Sequence, residues 1–184
     1  PVFDKPDSTG ICFVGERPFR EFLGRFLADR PGPIESADGE RLGEHRGLAF
    51  YTLGQREGLK IGGRSGRAEL PWFVARKDAS RNALIVVQGH DHPLLLSQAL
   101  ATGPMHWLGE ARRAPFPCSV KVRYRQADQP ARLEPGADGC ARIVFERPQR
   151  AVTEGQFAVA YEGDRCLGGA VIESVEPVAA RAAA

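Results

Sequence analysis

The sequence has few cysteines and no long apolar run. Its 184 residues include four cysteines, and none of them forms a Cys-x-x-Cys pair or has a histidine at zinc-finger spacing. We therefore expect neither a disulfide framework nor a metal site. No segment approaches the roughly 20 apolar residues that span a bilayer, and no signal-peptide pattern opens the chain. These absences predict a cytoplasmic protein with reduced thiols and no membrane partner.

Lysine and net charge are also low. Only four of the 25 basic residues are lysines, and the formal net charge is +2. So small a net charge does not by itself indicate a nucleic-acid partner. The predominance of arginine suits bidentate contacts with phosphate, although the base composition of a GC-rich genome accounts for it more simply.

The first regular pattern in the sequence predicts a helix that begins at Pro18. Apolar residues then recur at i, i+3, i+4, i+7 and i+8, and they are Phe19, Phe22, Leu23, Phe26 and Leu27. This spacing gives one apolar face of an amphipathic helix, which the Pro-Gly-Pro of residues 31–33 ends. We interpret the helix as an element of the core.

After the helix the pattern changes to short strands. Asp38 and Gly39 predict a hairpin turn, and we predict a domain boundary near residues 91–97. The strands predicted before that boundary are residues 48–55, 71–78 and 82–89. Those predicted after it are residues 105–109, 118–126, 131–135, 141–146, 157–163 and 168–175. Many short strands separated by turn clusters favour a small closed barrel, and no internal repeat is evident.

Cys12 is the cysteine whose local sequence allows two interpretations. It follows a glycine-containing loop, and Arg17 and the predicted helix N-terminus lie just after it. A positive charge and a helix N-terminus both favour the reactive thiolate. A free cysteine between Ile11 and Phe13 is more often a small buried hydrophobe. The local sequence alone slightly favours the buried interpretation.

Two polar segments are candidate binding elements. Residues 51–63, YTLGQREGLKIGG, combine four glycines with the donor side chains of Gln55, Arg56 and Lys60. They match neither the Walker nor the dinucleotide pattern, so phosphate binding and a flexible connection are equally good interpretations. Residues 122–126, VRYRQ, interleave arginine with tyrosine, which suits phosphate contact and base stacking. Alternation along this strand puts Lys121, Arg123 and Arg125 on one face, and a solvated cationic face is the alternative interpretation.

Five ordered segments carry a resemblance to a known family. They are DSTGICFVGER, YTLGQREGLKIGG, VVQGHDHPLL, KVRYRQ and AVTEGQFAVAYEGDRCLGGAVI. In this order they closely resemble the C-terminal half of the bacterial tRNA-specific 2-thiouridylases. The resemblance extends from Asp7 to about Glu173, nearly the whole chain.

The resemblance implies ATP-dependent transfer of sulfur to wobble uridine 34 in the tRNAs for Lys, Glu and Gln. Cys12 occupies the place of the cysteine that carries the persulfide, which a sulfur-carrier protein loads. The tRNA contacts of the family correspond to Tyr124 and Arg125 on a barrel strand and to Gln156 in a T-x-G-Q motif. The candidate tRNA-binding residues are Gln55, Arg56, Arg123, Tyr124, Arg125 and Gln156.

The expected fold is mainly β with one amphipathic helix. A small α+β central domain is followed by a C-terminal six-stranded antiparallel β-barrel. The predicted divisions are residues 1–17, the end of a catalytic domain with the Cys12 loop; 18–93, the central tRNA-binding domain; 94–177, the barrel; and 178–184, a disordered tail.

The chain contains no Ser-Gly-Gly-x-Asp-Ser loop for ATP and begins with Pro1 rather than Met. We expect a monomeric fragment whose ATP is bound by an N-terminal domain that is missing here, and which does not thiolate tRNA alone. One alternative is a tRNA-binding module in which Cys12 is inert. Another is a barrel like those of translation factors, without a role in sulfur transfer.

Overall fold

The computed structural model describes residues 22, 24–62, 70–123 and 126–178. These residues form a small four-stranded sheet and a larger sheet that closes on itself. The helix predicted from Pro18 is described only at Phe22 and from residue 24 onwards. Phe22 is helical, but residues 24–27 form a turn and residues 28–30 are irregular, and the Phe26 side chain, expected in the core, is 71% exposed. The predicted tail beyond Val178 lies outside the described residues. The strands of the small sheet are β1 (Gly32–Ser36), β2 (Arg41–His45), β3 (Trp72–Asp78) and β4 (Ala83–Gln88).

Two antiparallel hairpins build the small sheet, and both were predicted from the sequence. β1 and β2 are joined through Asp38 and Gly39, and Gly39 has the φ of 87° that this turn requires. β3 and β4 are joined by a turn in which the Asp78 carboxylate accepts a hydrogen bond of 2.7 Å from the Ser80 hydroxyl. β1 runs parallel to β4, which gives the strand order β2-β1-β4-β3.

β4 is buried on both faces and is the centre of the small sheet. Leu84 and Val86 pack in one cluster with Ile34, and Val87 packs in another with Leu95. Leu95 belongs to the short 3-10 helix that leads into the barrel. Burying one Val or Leu side chain stabilises the fold by about 1.5–3 kcal/mol. This second cluster therefore connects the small sheet to the start of the barrel.

The strand predicted over residues 48–55 is wrong. Leu48–Phe50 form a 3-10 turn, and a loop continues from there to residue 62. Phe50 and Tyr51 are neighbours in sequence, yet both are buried in the same core cluster. A strand would have sent them to opposite faces of the sheet. The turn, closed by hydrogen bonds of 3.1 and 3.3 Å, directs both side chains inward instead.

The larger sheet is a closed six-stranded antiparallel barrel, as expected. Its strand order is β10-β7-β8-β9-β5-β11, and pairing between β10 and β11 closes it. The strands are β5 (Leu96–Thr102), β7 (Phe116–Lys121), β8 (Gln129–Pro135), β9 (Ala141–Arg150), β10 (Phe157–Glu162) and β11 (Arg165–Pro177). A short strand, β6 (His106–Trp107), pairs with β11. Closure leaves no unpaired barrel edge that could recruit another chain.

The sixth barrel strand differs from the one that the sequence predicted. The barrel uses Leu96–Thr102, whereas residues 105–109 provide only the two-residue β6. Leucine, glutamine and alanine dominate Leu96–Thr102, and these residues favour helices. Their alternation still buries Leu100 against the barrel core with Ile143 and Ile172. Tertiary packing thus overrides the local preference for a helix.

Candidate nucleic-acid interface

The structure describes four of the seven predicted site residues, at two turns and one strand end. The predicted persulfide carrier and the predicted Tyr-Arg contact lie outside the described residues; they are Cys12, Tyr124 and Arg125. The four described residues are Gln55, Arg56, Arg123 and Gln156. The roles of these four residues in binding remain predictions.

The first turn consists of Thr52–Gln55, in the loop between β2 and β3 of the small sheet. The Gln55 amide donates to the Thr52 carbonyl at 3.0 Å, and Gly54 has a left-handed φ of 77°. The Gly54 amide donates to the Val74 carbonyl, and the Val74 amide donates to the Gln55 carbonyl, at 2.7 and 3.0 Å. The Gln55 side chain accepts from the Thr52 amide at 2.9 Å. The turn is therefore fixed to β3, and it presents the exposed side chain of Arg56 beside it.

The second turn consists of Thr153–Gln156 in the barrel and repeats this pattern. The Gln156 amide donates to the Thr153 carbonyl at 3.3 Å, and Gly155 has a φ of 82°. The Gly155 amide donates to the Ile172 carbonyl, and the Ile172 amide donates to the Gln156 carbonyl, at 2.8 and 2.7 Å. Each turn is thus a T-x-G-Q sequence bound in the same way to a neighbouring strand.

The likeness of the two turns is limited to four residues and is not an internal repeat of the chain. Four residues that recur once, about 100 positions apart, give no periodic signal. A direct comparison of TLGQ at 52–55 with TEGQ at 153–156 would have found the pair. Glycine at the third position supplies the left-handed backbone that both turns need.

Arg123 lies between the two turns and is half-buried. Its Nη2 donates to the Leu53 carbonyl at 3.1 Å, to the Ala151 carbonyl at 2.8 Å and to the Thr153 hydroxyl at 3.5 Å. Its Nε is buried and has no hydrogen-bond partner among the described residues. One guanidinium group therefore holds the first turn and the second turn at once.

Arg150, which the sequence did not single out, makes a second link between the two sheets. Its Nε donates to the His90 carbonyl at 3.0 Å, and its Nη2 reaches the Gly54 carbonyl at 3.5 Å. Its guanidinium also lies 4.6 Å from the centre of the Phe73 ring. Burial, followed by the charge of Arg123, lowers the pKa of Arg150. Two cations thus share the junction between the sheets, which favours an anionic ligand nearby.

Lys121 belongs to the strand face for which the sequence predicted three cations. Its ammonium nitrogen lies 3.2 Å from the Asp128 carboxylate and 5.3 Å from the centre of the Tyr161 ring. The charge of Lys121 is therefore balanced within the protein. Of the two cations on this face that the structure describes, Arg123 is the one that bonds only to neutral oxygens.

The three described cysteines are free thiols in the barrel, at Cys118, Cys140 and Cys166. Burial raises the pKa of Cys118 to about 11 from 9.0. Burial, followed by the charge of Asp138, raises the pKa of Cys140. A higher pKa leaves less of the thiolate that acts as a nucleophile. At Cys118 burial outweighs the charge of Arg112, and at Cys140 the nearby charges, of Asp138 and Glu173, are negative.

Alkylation of Cys118 is expected to be slow in the folded chain. Raising its pKa from 9.0 to about 11 lowers the thiolate fraction at pH 8 by about a hundredfold. A time course with iodoacetamide at pH 8, read by peptide mass spectrometry, compares the folded chain with the chain in urea. Equal rates at Cys118 in both states would contradict the shift.

No group of three His, Cys, Asp or Glu side chains in the described residues is placed to hold a metal ion. Within the described ranges, no helix combines the length and apolar content of a membrane-spanning segment.

Two family models match the sequence, one over each sheet. The model described as tRNA methyl transferase PRC-barrel domain matches residues 20–88. The model described as aminomethyltransferase beta-barrel domain matches residues 97–172. The second match covers most of the closed barrel and includes its T-x-G-Q turn.

The sequence is also similar to curated proteins named tRNA-specific 2-thiouridylase MnmA. The protein from Tolumonas auensis is 55% identical over 170 residues, which are 92% of this chain and 46% of the relative. The protein from Methylibium petroleiphilum is 57% identical over 94% of this chain and 45% of the relative. The protein from Alkalilimnicola ehrlichii is 54% identical over 97% of this chain and 49% of the relative. The chain spans about half the length of these relatives.

Proposed function

The chain belongs to the tRNA-specific 2-thiouridylase family, and from this premise we propose that it is the tRNA-binding and sulfur-carrying part of a tRNA-uridine 2-sulfurtransferase. The observation that carries the proposal is the 54–57% identity over more than nine-tenths of this chain. The reaction proposed for the complete enzyme is ATP-dependent 2-thiolation of uridine 34 in the tRNAs for Lys, Glu and Gln.

In the proposed reaction Cys12 carries the sulfur as a persulfide. ATP activates the C2 oxygen of the uridine as a leaving group, and no residue of this chain is assigned to ATP. The terminal sulfur of the Cys12 persulfide attacks C2, and the activated oxygen departs. A second cysteine, from the rest of the enzyme, then attacks Cys12 Sγ. The resulting disulfide releases the transferred sulfur on C2, so that both electrons of the broken S–S bond remain with the product.

The proposed role of the two sheets is to hold the tRNA while its wobble base leaves the anticodon stack. Contacts to phosphates position the nucleic acid without reading its sequence. Arg56 is exposed beside the first turn, and Arg123 lies at the junction between the sheets. We further propose that the protein is a cytoplasmic monomer and that a sulfur-carrier protein supplies the sulfur to Cys12.

A second candidate function is tRNA binding alone. It is favoured by the fact that this chain spans only about half the length of its curated relatives. In this case the chain binds tRNA and Cys12 stays inert unless the remaining half of the enzyme is supplied. Incubation of the chain with a persulfide donor separates the two, because only the first candidate gives a persulfide on Cys12, which mass spectrometry of the Cys12 peptide detects.

Replacing Arg125 by alanine is expected to weaken tRNA binding. A lost phosphate contact lowers the slope of log K against log salt by about 1. Filter binding of a tRNA-Glu transcript between low and moderate salt measures both the affinity and the slope. Arg41→Ala is the control, because Arg41 is exposed and ion-paired with Glu44. Unchanged affinity in Arg125→Ala would show that the segment of residues 122–126 does not contact the tRNA through Arg125.

A further inference from the structure

The two T-x-G-Q turns meet at the junction between the small sheet and the barrel. The Leu53 and Ala151 carbonyls bind the same nitrogen of Arg123, at 3.1 and 2.8 Å. At Gly54 an added Cβ would lie 2.7 Å from the Ala151 Cβ and 3.1 Å from an Arg150 guanidinium nitrogen. The backbone of the first turn is therefore in direct contact with the segment that leads into the second.

Comparison of Gly54 with Gly155 distinguishes the contact between the sheets from the backbone conformation that both turns share. Gly54 and Gly155 have nearly the same left-handed φ, 77° and 82°. An added Cβ at Gly155 would meet nothing within 4 Å, in contrast to Gly54. Glycine at 155 is thus required by the backbone alone, whereas glycine at 54 is also required by the approach of the two sheets.

Three chain segments with predicted tRNA contacts converge on the same guanidinium group. Arg123 directly precedes Tyr124, and it bonds to Leu53 of the first turn and to Thr153 of the second. Arg150 adds the bond to the Gly54 carbonyl. Because the donors are cations and the acceptors in these bonds are neutral oxygens, the contacts hold the segments together without cancelling the positive charge.

We propose that Arg123 and Arg150 lock the two T-x-G-Q turns, one from each sheet, into a single preformed tRNA-binding surface, with Arg150 as a positioning residue. This inference rests on the proposed function. A surface that is already ordered loses less conformational entropy when the tRNA binds. Gln55, Arg56 and Gln156 then act on one ligand together, although they belong to two sheets.

The first test uses Arg150→Ala, which leaves every predicted tRNA contact in place. Affinity for a tRNA-Glu transcript is expected to fall by about fivefold or more. The slope of log K against log salt is expected to stay constant, because no phosphate contact is removed. Arg41→Ala serves as the control. Unchanged affinity in Arg150→Ala overturns the proposal, and so does a slope that falls by about 1, which would make Arg150 a direct phosphate contact.

The second test needs no tRNA and compares Gly54→Ala with Gly155→Ala by hydrogen exchange. Both variants place alanine at a left-handed position, but only Gly54→Ala pushes the sheets apart. Faster exchange in residues 150–156 of Gly54→Ala, and unchanged exchange in residues 52–55 of Gly155→Ala, are expected. Equal effects across the junction, or none, overturn the lock. If the unmodified chain does not bind the transcript, the proposed function is wrong. The hydrogen-exchange data would still show whether the two turns are held together.

Discussion

Replacing Cys12 by serine is expected to abolish tRNA thiolation in the full-length enzyme, while the affinity for tRNA stays unchanged. A serine hydroxyl cannot form a persulfide, so the sulfur has no carrier to C2 of the uridine. Phosphate contacts made elsewhere in the chain do not depend on this thiol. The measurement is 2-thiouridine in nuclease digests of the tRNA product by mass spectrometry, with filter binding of the same tRNA alongside.

Cys118→Ser is the matched control for that experiment. Cys118 lies in β7 of the barrel, and burial raises its pKa to about 11, so we assign it no part in sulfur transfer. It should retain thiolation. Normal 2-thiouridine formation by Cys12→Ser would show that another group carries the sulfur. That result would leave tRNA binding as the function of this chain.

The largest loss of stability is expected from Gly168→Ala in β11. An added Cβ there would lie 2.2 Å from the His106 carbonyl oxygen and 3.0 Å from the Trp107 Cα. Gly168 also has a φ of 146°, which side chains rarely tolerate. Strain and the backbone clash together should cost about 3 kcal/mol. Thermal unfolding followed by circular dichroism should show a midpoint lower by roughly 6–12 °C.

Gly163→Ala separates the clash from the backbone strain. Gly163 has a left-handed φ of 56°, and an added Cβ there would meet nothing within 4 Å. Its replacement should cost only about 1 kcal/mol. An equally small effect at Gly168 would mean that β6 moves aside to admit the methyl group. In that case the pairing of β6 with β11 is not essential to the barrel.

Hairpins and alternating strands were predictable because their signals are local. Asp38 and Gly39 set a turn whatever surrounds them, and the two hairpins of the small sheet were predicted from the sequence. Leu96–Thr102 was not predicted as a barrel strand, since its residues favour a helix. The segment becomes a strand only through its pairing with β9 and β11 in the barrel. The prediction of a strand over residues 48–55 was wrong for the converse reason, because core contacts bend a strand-like sequence into a turn.

The sequence supplied candidate site residues, but it gave neither their arrangement nor Arg150 at the junction. The local sequence around Cys12 slightly favoured a buried thiol, and only the ordered motifs of the family indicated a sulfur carrier. Arg123 was singled out as a tRNA contact from its strand pattern. The structure places its Nη2 among the Leu53 and Ala151 carbonyls, a position that no local pattern encodes.

The sequence by itself determined the family and the predominance of β structure. These follow from residue identity and short-range periodicity, which act within a few positions of the chain. Only the tertiary structure decided that the two T-x-G-Q turns touch and that Arg123 and Arg150 join them. Hydrogen bonds between residues 70 and 96 positions apart depend on how the two sheets dock, and docking depends on packing over the whole interface.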